Sequence, residues 1–248
     1  MHGTGTQQEE WFSTWFDSPY YHILYSNRDE QDAQHFIDNL LTYLHPKPTE
    51  KILDLACGKG RHALYLNQKG YDVTGVDLSA ESIRFAKQFE NERLHFEEHD
   101  MREEYRPETF DFILNLFTSF GYFDTETENV VALLATANSL KHGGKLVIDF
   151  MNTERTISNL VAHEEKQVQG ITFHIDRGVE HDFIVKKISF TDQGQEFYFE
   201  ERVRALREED FMEYFGMAHL RLVDVFGDYQ LNPYNAGQSE RMIFVLKK

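Results

Sequence analysis

KILDLACGKGRHALYL, residues 51–66, is the stretch that decides the fold of this chain. It opens with the apolar run of a buried strand, passes through Gly58 and Gly60, and continues with helical spacing from about Arg61 to Lys69. Glycines at a strand-to-helix turn let the backbone bend sharply and approach a ligand closely, and a helix N-terminus offers unpaired N–H groups. The stretch therefore predicts a strand, a ligand-binding loop and a helix, in that order.

The alternation of strand and helix continues toward the C-terminus. The sequence next predicts a strand at YDVTGVD (71–77), a helix over 80–89, strands at LHFEEHD (94–100) and FDFILNL (110–116), a helix over 126–140 and a fifth strand at KLVIDF (145–150). The last of these helices is expected to stop at Gly143-Gly144. Strands that alternate with helices through short loops are parallel and joined by right-handed crossovers. The expected fold class is a doubly wound α/β sheet.

The segments on either side of this core follow other patterns. Near the start, the aromatic residues of WFSTWF (11–16), namely Trp11, Phe12, Trp15 and Phe16, are more typical of a helix face docked on the core than of a binding site. Apolar residues alternate at period two over 168–206, with a turn at Asp192-Gln193-Gly194, which predicts antiparallel sheet. We expect four segments: an N-terminal helical cap (1–50), the core (51–150), an antiparallel insert (151–206), and a C-terminal helix with the last two strands of the core sheet (207–248).

Composition limits the class of protein. The 248-residue chain is 41% hydrophobic, enough to bury a large core, and no apolar stretch approaches the roughly 20 residues that span a bilayer. The start MHGTGTQQEE lacks the basic and apolar regions of a signal peptide, and the single cysteine, Cys57, excludes an internal disulfide. We therefore expect a cytoplasmic protein without membrane association. The formal charge of −17 disfavours general binding to nucleic acid.

An acidic residue at the end of the second predicted strand indicates the kind of ligand. Asp77 lies 17 residues after Gly60, where its carboxylate can accept hydrogen bonds from both hydroxyls of a ribose. The glycine loop and the acidic strand end together indicate a ligand that contains a nucleoside. Because Gly58-x-Gly60-x-x-Ala63 also satisfies the relaxed dinucleotide fingerprint, the loop alone does not separate NAD from S-adenosylmethionine (SAM).

Four further features distinguish these two ligands. Asp54 precedes Ala56 by two residues, the pair Asp100-Met101 follows the third strand, Asn115 ends the fourth strand, and the chain closes with a pair of strands. In this combination, residues 52–150 resemble the class I SAM-dependent methyltransferases, with a weaker likeness in the terminal strands. The resemblance implies a Rossmann-like methyltransferase fold, a mostly parallel, seven-stranded sheet whose last strand is antiparallel.

The resemblance also implies which residues hold SAM. By the family pattern, Asp54 and the loop from Ala56 through Gly58 to Gly60 hold the methionine part. The other matching positions and their implied contacts are Asp77 for the ribose, Leu78 and Met101 for the adenine ring, Asp100 for the adenine amino group, and Asn115 and Phe117 for the methionine end and the transferred methyl. SPYYHILYSNRDE looks like the lid helix of small-molecule methyltransferases, which assigns Tyr21 and Arg28 to closure over SAM.

The resemblance favours a small, enclosed acceptor, because in small-molecule methyltransferases a sheet inserted after the fifth strand often covers the substrate. Methyl transfer displaces a neutral thioether from a sulfonium cation, so positioning and desolvation supply much of the catalysis. A general base would assist a hydroxyl or protonated amine acceptor, and the candidates are Tyr21, His22, Tyr122, Tyr229 and Tyr234. The methylated atom, O, N or C, stays open. No metal site is expected, and the protein is expected to be a monomer or a homodimer.

Three other functions are compatible with part of the pattern. A nicotinamide-dependent oxidoreductase would need a hydride-transfer residue and usually a catalytic domain, which the chain after the fifth strand does not clearly supply. A non-catalytic protein that binds SAM or its demethylated product, S-adenosylhomocysteine (SAH), stays open because fold and function separate readily. RNA methylation also stays open, although residues 115–118, Asn-Leu-Phe-Thr, depart from the Asn/Asp-Pro-Pro-aromatic tetrapeptide common in enzymes that act on base amines.

Overall fold

A large central sheet organises the computed structural model, which describes residues 11–26 and 30–248. The strands of the described residues, which form two sheets, are β1 (Lys51–Leu55), β2 (Asp72–Asp77), β3 (Leu94–Glu98), β4 (Phe110–Asn115), β5 (Leu140–Met151), β6 (His163–Val168), β7 (Ile171–Glu180), β8 (Phe183–Asp192), β9 (Gln195–Arg204), β10 (Arg221–Phe226) and β11 (Arg241–Lys247). Seven of them form one sheet in the order β10-β11-β5-β4-β1-β2-β3, in which β11 runs antiparallel to both neighbours. The Rossmann-like methyltransferase sheet expected from the sequence is confirmed.

Helices cover both faces of this sheet. The described α-helices are α1 (Trp11–Phe16), α2 (Pro19–Leu24), α3 (Glu30–Leu44), α4 (Arg61–Gln68), α5 (Ala80–Ala86), α6 (Glu126–Ser139), α7 (Thr153–Ser158) and α8 (Glu208–Met217). One buried apolar cluster joins the strands to α3, α4 and α5, and a second joins them to α6 and α8. Coverage on both faces explains why β1 and β4 are apolar runs rather than alternating strands.

The third helix belongs to the core layer. Phe36, Ile37 and Leu40 of α3 are fully buried and share a cluster with Ile52 of β1 and Phe112 of β4. The helices α1 and α2 lie elsewhere, so the N-terminal 50 residues supply helices to two different parts of the molecule. No helix within the described ranges is both long and apolar enough to cross a membrane.

The insert is a separate antiparallel sheet of four strands in the order β6-β7-β8-β9. The two-residue turn between β8 and β9 has positive φ at Gln193 (+48°) and Gly194 (+80°), which matches the right-handed twist of a tight hairpin. One face of this sheet packs on α1 and α2, where Trp15 and Leu24 are buried against Phe173 and Ile188. The helices α1 and α2 therefore bury their apolar side chains mainly in the insert.

The expected helix end at Gly143-Gly144 is wrong. The helix α6 ends at Ser139 and β5 begins at Leu140, which pairs with Phe110, while Lys145 pairs with Phe112. The chain loops out between these two pairs: Gly143 has φ +82°, and a Cβ on Gly144 would lie 2.9 Å from the Lys141 carbonyl oxygen. The two glycines permit this irregularity within the strand pairing.

Candidate functional site

The glycine loop between β1 and α4 is fastened to the end of β2. Its φ angles are positive at Ala56 (+61°), Gly58 (+55°) and Gly60 (+79°), so the backbone turns sharply where β1 ends. The Gly58 N–H donates to Oδ2 of Asp77 at 2.7 Å, and the Cys57 N–H donates to the carbonyl oxygen of Val76 in β2 at 2.9 Å. The loop therefore lies directly against the acidic strand end.

Asp77 has a fixed orientation and spare capacity to accept hydrogen bonds. Besides Gly58, the Ser79 N–H donates to its Oδ1 at 2.9 Å. A carboxylate offers about four acceptor sites, so each oxygen can accept a further hydrogen bond. Burial raises the pKa of Asp77, while the backbone N–H donors oppose that rise by favouring the ionised form. The side chain lines a cavity, where it can receive a pair of ligand hydroxyls.

Asp54 and Cys57 are buried beside the loop. Oδ2 of Asp54 accepts the Ala63 N–H at 3.1 Å, which ties β1 to the first turn of α4. Burial, with a smaller contribution from the charge of Asp77, raises the pKa of Asp54 to about 7. Burial likewise raises the pKa of the Cys57 thiol well above its usual value, so this side chain is a neutral packing group and not a nucleophile at neutral pH.

The two loop glycines differ in what surrounds them. A Cβ added at Gly60 would lie 2.4 Å from a ring carbon of Phe96, so β3 can approach the loop closely only because this residue has no side chain. A Cβ added at Gly58 would meet no atom within 4 Å. Gly60 therefore serves close packing, whereas Gly58 lines the cavity.

Asp100, at the end of β3, is held by an arginine that no sequence motif indicated. Arg102 donates to Asp100 Oδ2 from Nη2 at 2.6 Å and to Glu128 Oε1 from Nη1 at 3.0 Å. Burial opposes ionisation of Asp100, but the hydrogen bonds and charge of Arg102 outweigh it and lower the pKa of Asp100. The Arg102 guanidinium also lies 4.7 Å from the centre of the Phe123 ring. This network fixes one end of the cavity.

A cavity of about 680 Å³ lies between these strand ends and the helices α1 and α2. The helices contribute Phe12, Phe16, Tyr21 and His22 to its wall. Asp17, between the two helices, accepts a hydrogen bond from the hydroxyl of Ser79, two residues after Asp77. The cavity is thus covered by the N-terminal helices, and the cover is fastened next to the acidic strand end.

Glu201 of β9 fastens the other side of this cover. Its carboxylate accepts hydrogen bonds from Trp15 Nε1 at 2.7 Å and from the Tyr25 hydroxyl at 2.6 Å. Lys186 Nζ of β8 lies 3.6 Å from Glu201 Oε2. The buried Trp15 also packs on Phe199, with the ring centres 4.4 Å apart. Tyr25 lines the cavity, so the insert sheet helps to place a residue of its wall.

The loop after β4 forms a further part of the wall, next to the start of α4. Phe117 lines the cavity, and its ring is stacked on His62 with centres 4.9 Å apart and planes inclined by 8°. The Arg61 guanidinium lies 4.8 Å from the same ring centre. Asn115 is buried beneath this loop and donates to the Leu55 carbonyl at 3.2 Å. Its side chain links the end of β4 to the end of β1.

The structure brings most of the predicted cofactor contacts together. Those that line the cavity are Tyr21, Ala56, Gly58, Asp77, Leu78, Asp100, Met101 and Phe117. Asp54, Gly60 and Asn115 are adjacent to the loops that form the wall but do not line it. Arg28 lies outside the described residues.

The candidates for a general base separate into two groups. Tyr21, His22 and Tyr122 line the cavity, whereas Tyr229 and Tyr234 do not. The Tyr229 hydroxyl is directed to buried Asp149, to which it donates at 3.4 Å, and burial raises the pKa of this phenol. Tyr234 packs against the core on the α8 side of the sheet. Neither is placed to take a proton from a molecule in the cavity.

Other residues of the wall were not predicted as site residues, among them Phe12, Phe16, Tyr25, Lys59, Arg61 and Ser79. Lys59 and Arg61 lie within the glycine-loop motif, so their position in the sequence was the one available signal. Phe12 and Phe16 differ from the expectation of a helix face docked only on the core, since they also face the cavity. Within the described residues, no cluster of three or more His, Cys, Asp or Glu side chains could hold a metal ion.

Comparisons with known proteins agree with this geometry. The family model described as a methyltransferase domain matches residues 52–144. YqeM of Bacillus subtilis (strain 168), whose name assigns it provisionally to the methyltransferases, is 29% identical over 209 residues, which cover 80% of this chain and 84% of that protein. The crystal structure of an S-adenosylmethionine-dependent methyltransferase from Clostridium acetobutylicum ATCC 824 superposes with a TM-score of 0.77 at 23% identity, covering 92% of this chain and 95% of that one. These matches support a class I SAM-dependent methyltransferase family for the chain.

A third comparison concerns an enzyme of known acceptors. The glycine/sarcosine/dimethylglycine N-methyltransferase of Actinopolyspora halophila is 25% identical over 91% of this methyltransferase, but the match covers only 40% of that enzyme. The cofactor of the family is SAM, and the residues present fit it. The cavity volume falls in the range of about 300–1,000 Å³ typical of small-molecule sites, and a half-buried carboxylate with free acceptor capacity lines it at the end of β2.

Proposed function

We propose that this methyltransferase transfers a methyl group from SAM to a small-molecule acceptor inside the cavity between the glycine loop and the N-terminal helices. The observation that carries the proposal is that helices α1 and α2 cover one side of the site. Its wall includes Tyr21 and Tyr25 from the N-terminal segment, and the insert sheet buttresses these residues. A cavity of about 680 Å³ that is covered in this way favours a compact acceptor over a polymer.

The proposed cofactor contacts follow the order of the strands. Asp77 would accept the ribose hydroxyls, while Leu78 and Met101 would flank the adenine and Asp100 would accept from its amino group. The glycine loop from Ala56 to Gly58 and the segment around Phe117 would border the methionine part. All of these residues line one continuous cavity, which supports their assignment to a single ligand.

Bound SAM would supply a methyl group on a sulfonium, which departs as a neutral thioether. The acceptor lone pair would form the new bond to the methyl carbon, and the electron pair of the broken carbon–sulfur bond would stay on sulfur. An acceptor hydroxyl or ammonium must also lose a proton. We propose His22 as the first residue to test as proton acceptor, because it lines the cavity and an imidazole ordinarily titrates near neutral pH.

An amine is the acceptor class to test first. The Actinopolyspora halophila relative methylates the nitrogen of glycine, sarcosine and dimethylglycine by its name, and its match covers 91% of this chain. The expectations of a cytoplasmic monomer or homodimer that does not bind nucleic acid stay predictions.

Calorimetric titration of the purified protein with SAM, SAH and NAD, under identical conditions, tests the cofactor. Transfer of a radiolabelled methyl group from SAM to separate pools of small amines, small alcohols and bulk RNA then tests the acceptor. We expect binding of SAM and SAH without NAD, and label in a small-molecule pool. Binding of NAD alone would overturn the cofactor assignment, and label confined to RNA would overturn the acceptor class.

A further inference from the structure

A buried ion pair lies directly behind the cavity wall formed by the loop after β4. The Asp149 side chain, near the end of β5, is fully inaccessible to solvent, and its Oδ1 accepts a hydrogen bond from Arg241 Nε at 2.7 Å. Arg241 begins β11 and is itself largely buried. Burying two charges is costly unless further hydrogen bonds satisfy them, so a pair in this position calls for a structural or functional reason.

The additional hydrogen bonds of the pair converge on two consecutive residues of the loop. Oδ2 of Asp149 accepts the backbone N–H of Phe117 at 2.7 Å, and the Asp149 carbonyl accepts the N–H of Thr118 at 2.9 Å. Arg241 Nη2 donates to the Thr118 hydroxyl at 2.9 Å. The Tyr229 hydroxyl adds a longer contact of 3.4 Å to Asp149. The ion pair thus holds the backbone N–H groups of both loop residues and the side chain of Thr118.

Both of these loop residues have left-handed backbone conformations. Phe117 has φ +59° and Thr118 has φ +61°. This conformation is unfavourable for residues with a Cβ atom, and more so for β-branched residues such as threonine. Such strain persists when the surrounding structure holds it in place, and it is concentrated at functional sites. Here Asp149 and Arg241 supply three of the hydrogen bonds that hold it, and the Tyr122 hydroxyl donates a further one to the Thr118 carbonyl oxygen.

The strained turn determines where the Phe117 ring lies. The ring lines the cavity, and it is stacked on His62 of α4 at the foot of the glycine loop. Relaxation of the turn toward negative φ would carry the ring away from this position. The Phe117 ring would then no longer border the proposed methionine end of the site.

We infer that Asp149 and Arg241 are positioning residues, which hold the Phe117–Thr118 turn in its left-handed form and thereby place Phe117 against the methionine end of bound SAM. The inference deepens the proposed function and rests on it for the identity of the ligand. It predicts that disruption of the ion pair lowers the affinity for ligands that contain the methionine part and leaves the affinity for ligands that lack it nearly unchanged.

Calorimetry with SAH and with 5′-methylthioadenosine, which has the nucleoside but not the amino acid part, tests this inference. Arg241→Lys keeps the charge opposite Asp149, but the single ammonium cannot span both Asp149 and Thr118. We expect Arg241→Lys to weaken SAH binding about tenfold, equivalent to about 1.4 kcal/mol, and to change methylthioadenosine binding less than twofold. Phe117→Ala serves as the reference for loss of the ring, and Arg155→Lys as the matched control, since Arg155 pairs with Glu240 beside Arg241 without contacting the turn.

A second variant distinguishes a loss of Phe117 positioning from a general loss of stability. Adding Thr118→Gly to Arg241→Lys removes the backbone strain at residue 118, because glycine adopts positive φ without a steric penalty, and we expect SAH affinity to recover part of the loss. Equal weakening of both ligands, or unchanged SAH affinity with a lowered unfolding midpoint, would show that the pair is merely structural. If the unaltered protein binds neither ligand, the proposed function itself fails, which is a different result.

Discussion

The carboxylate of Asp77 accepts the backbone N–H of Gly58 at 2.7 Å, so the acid at the end of β2 holds the glycine loop as well as facing the cavity. One side chain therefore serves the shape of the loop and the proposed ribose contact. A substitution at this position acts on both.

Asp77→Ala is expected to weaken SAM binding strongly. Each charge-assisted hydrogen bond to a ribose hydroxyl contributes on the order of 1.5–3 kcal/mol, so the affinity should fall by tenfold or more in a calorimetric titration. Glu98→Ala is the control, because Glu98 also ends a strand at this edge of the sheet but is exposed and does not line the cavity. Unchanged SAM affinity in a folded Asp77→Ala protein would contradict the ribose assignment.

Gly60→Ala and Gly58→Ala are expected to differ in stability although both place alanine at positive φ. The left-handed conformation costs alanine roughly 1–2 kcal/mol, and at Gly58 nothing crowds the added methyl. At Gly60 the methyl would overlap Phe96, so the loss should be larger by about 1–3 kcal/mol, the usual cost of overpacking. Urea denaturation of both variants measures the difference, and equal losses would show that the Phe96 ring moves aside freely.

The stability of the fold should contain a component that decreases as the pH rises toward 7, owing to Asp54. Because burial raises the pKa of Asp54 to about 7, the folded protein binds a proton that the unfolded chain releases near pH 4. The stabilisation is complete below the unfolded pKa and is lost as the pH approaches the folded value. It changes the folding equilibrium by about tenfold per pH unit in that interval.

Asp54→Asn isolates this component, since the amide keeps an oxygen for the Ala63 N–H and does not titrate. Urea denaturation between pH 4.5 and 7.5 should show the stability of the unaltered protein falling relative to that of the variant. A constant difference across this range would mean that Asp54 is ionised throughout.

Glu201→Ala is expected to loosen the cover of the cavity. It removes the acceptor of Trp15 Nε1 and the Tyr25 hydroxyl and leaves Lys186 without its carboxylate neighbour, which should cost about 1–3 kcal/mol of unfolding free energy. Limited proteolysis should then cut the N-terminal segment sooner. Glu196→Ala, an exposed change on the same strand, should leave both the stability and the cleavage rate unaltered.

The sequence predicts the core well because its elements carry their own periodicity. The helix expected from about Arg61 to Lys69 spans Arg61–Gln68, and the strands that carry Asp54 and Asp77 end at the loop and at the acid as expected. Because the central strands are buried on both faces, each consists of a run of apolar residues, and glycines indicate the turns. These signals are local, so they can be read without knowing what lies across the sheet.

Contacts between distant segments could not be predicted in this way. The apolar face of α1 shows that Trp15 is buried, but not that it is buried by β9, far along the chain. Arg102 and Arg241 appear in the sequence as ordinary charged residues, and their functions depend on Asp100 and Asp149 lying within hydrogen-bonding distance. Tyr229 and Tyr234 were candidates by residue type, while their distance from the cavity is a property of the long loop that carries them.

The anchoring of Trp15 and Tyr25 to Glu201 has a consequence for how this enzyme could diversify. The N-terminal helices and the inserted sheet are encoded far apart, yet the sheet packs against the helices that line the cavity. Recombination that exchanged either segment alone with a relative would pair mismatched surfaces. New acceptor ranges should therefore arise when both segments are inherited together, and chimeras intended to transplant a substrate preference need to carry the pair.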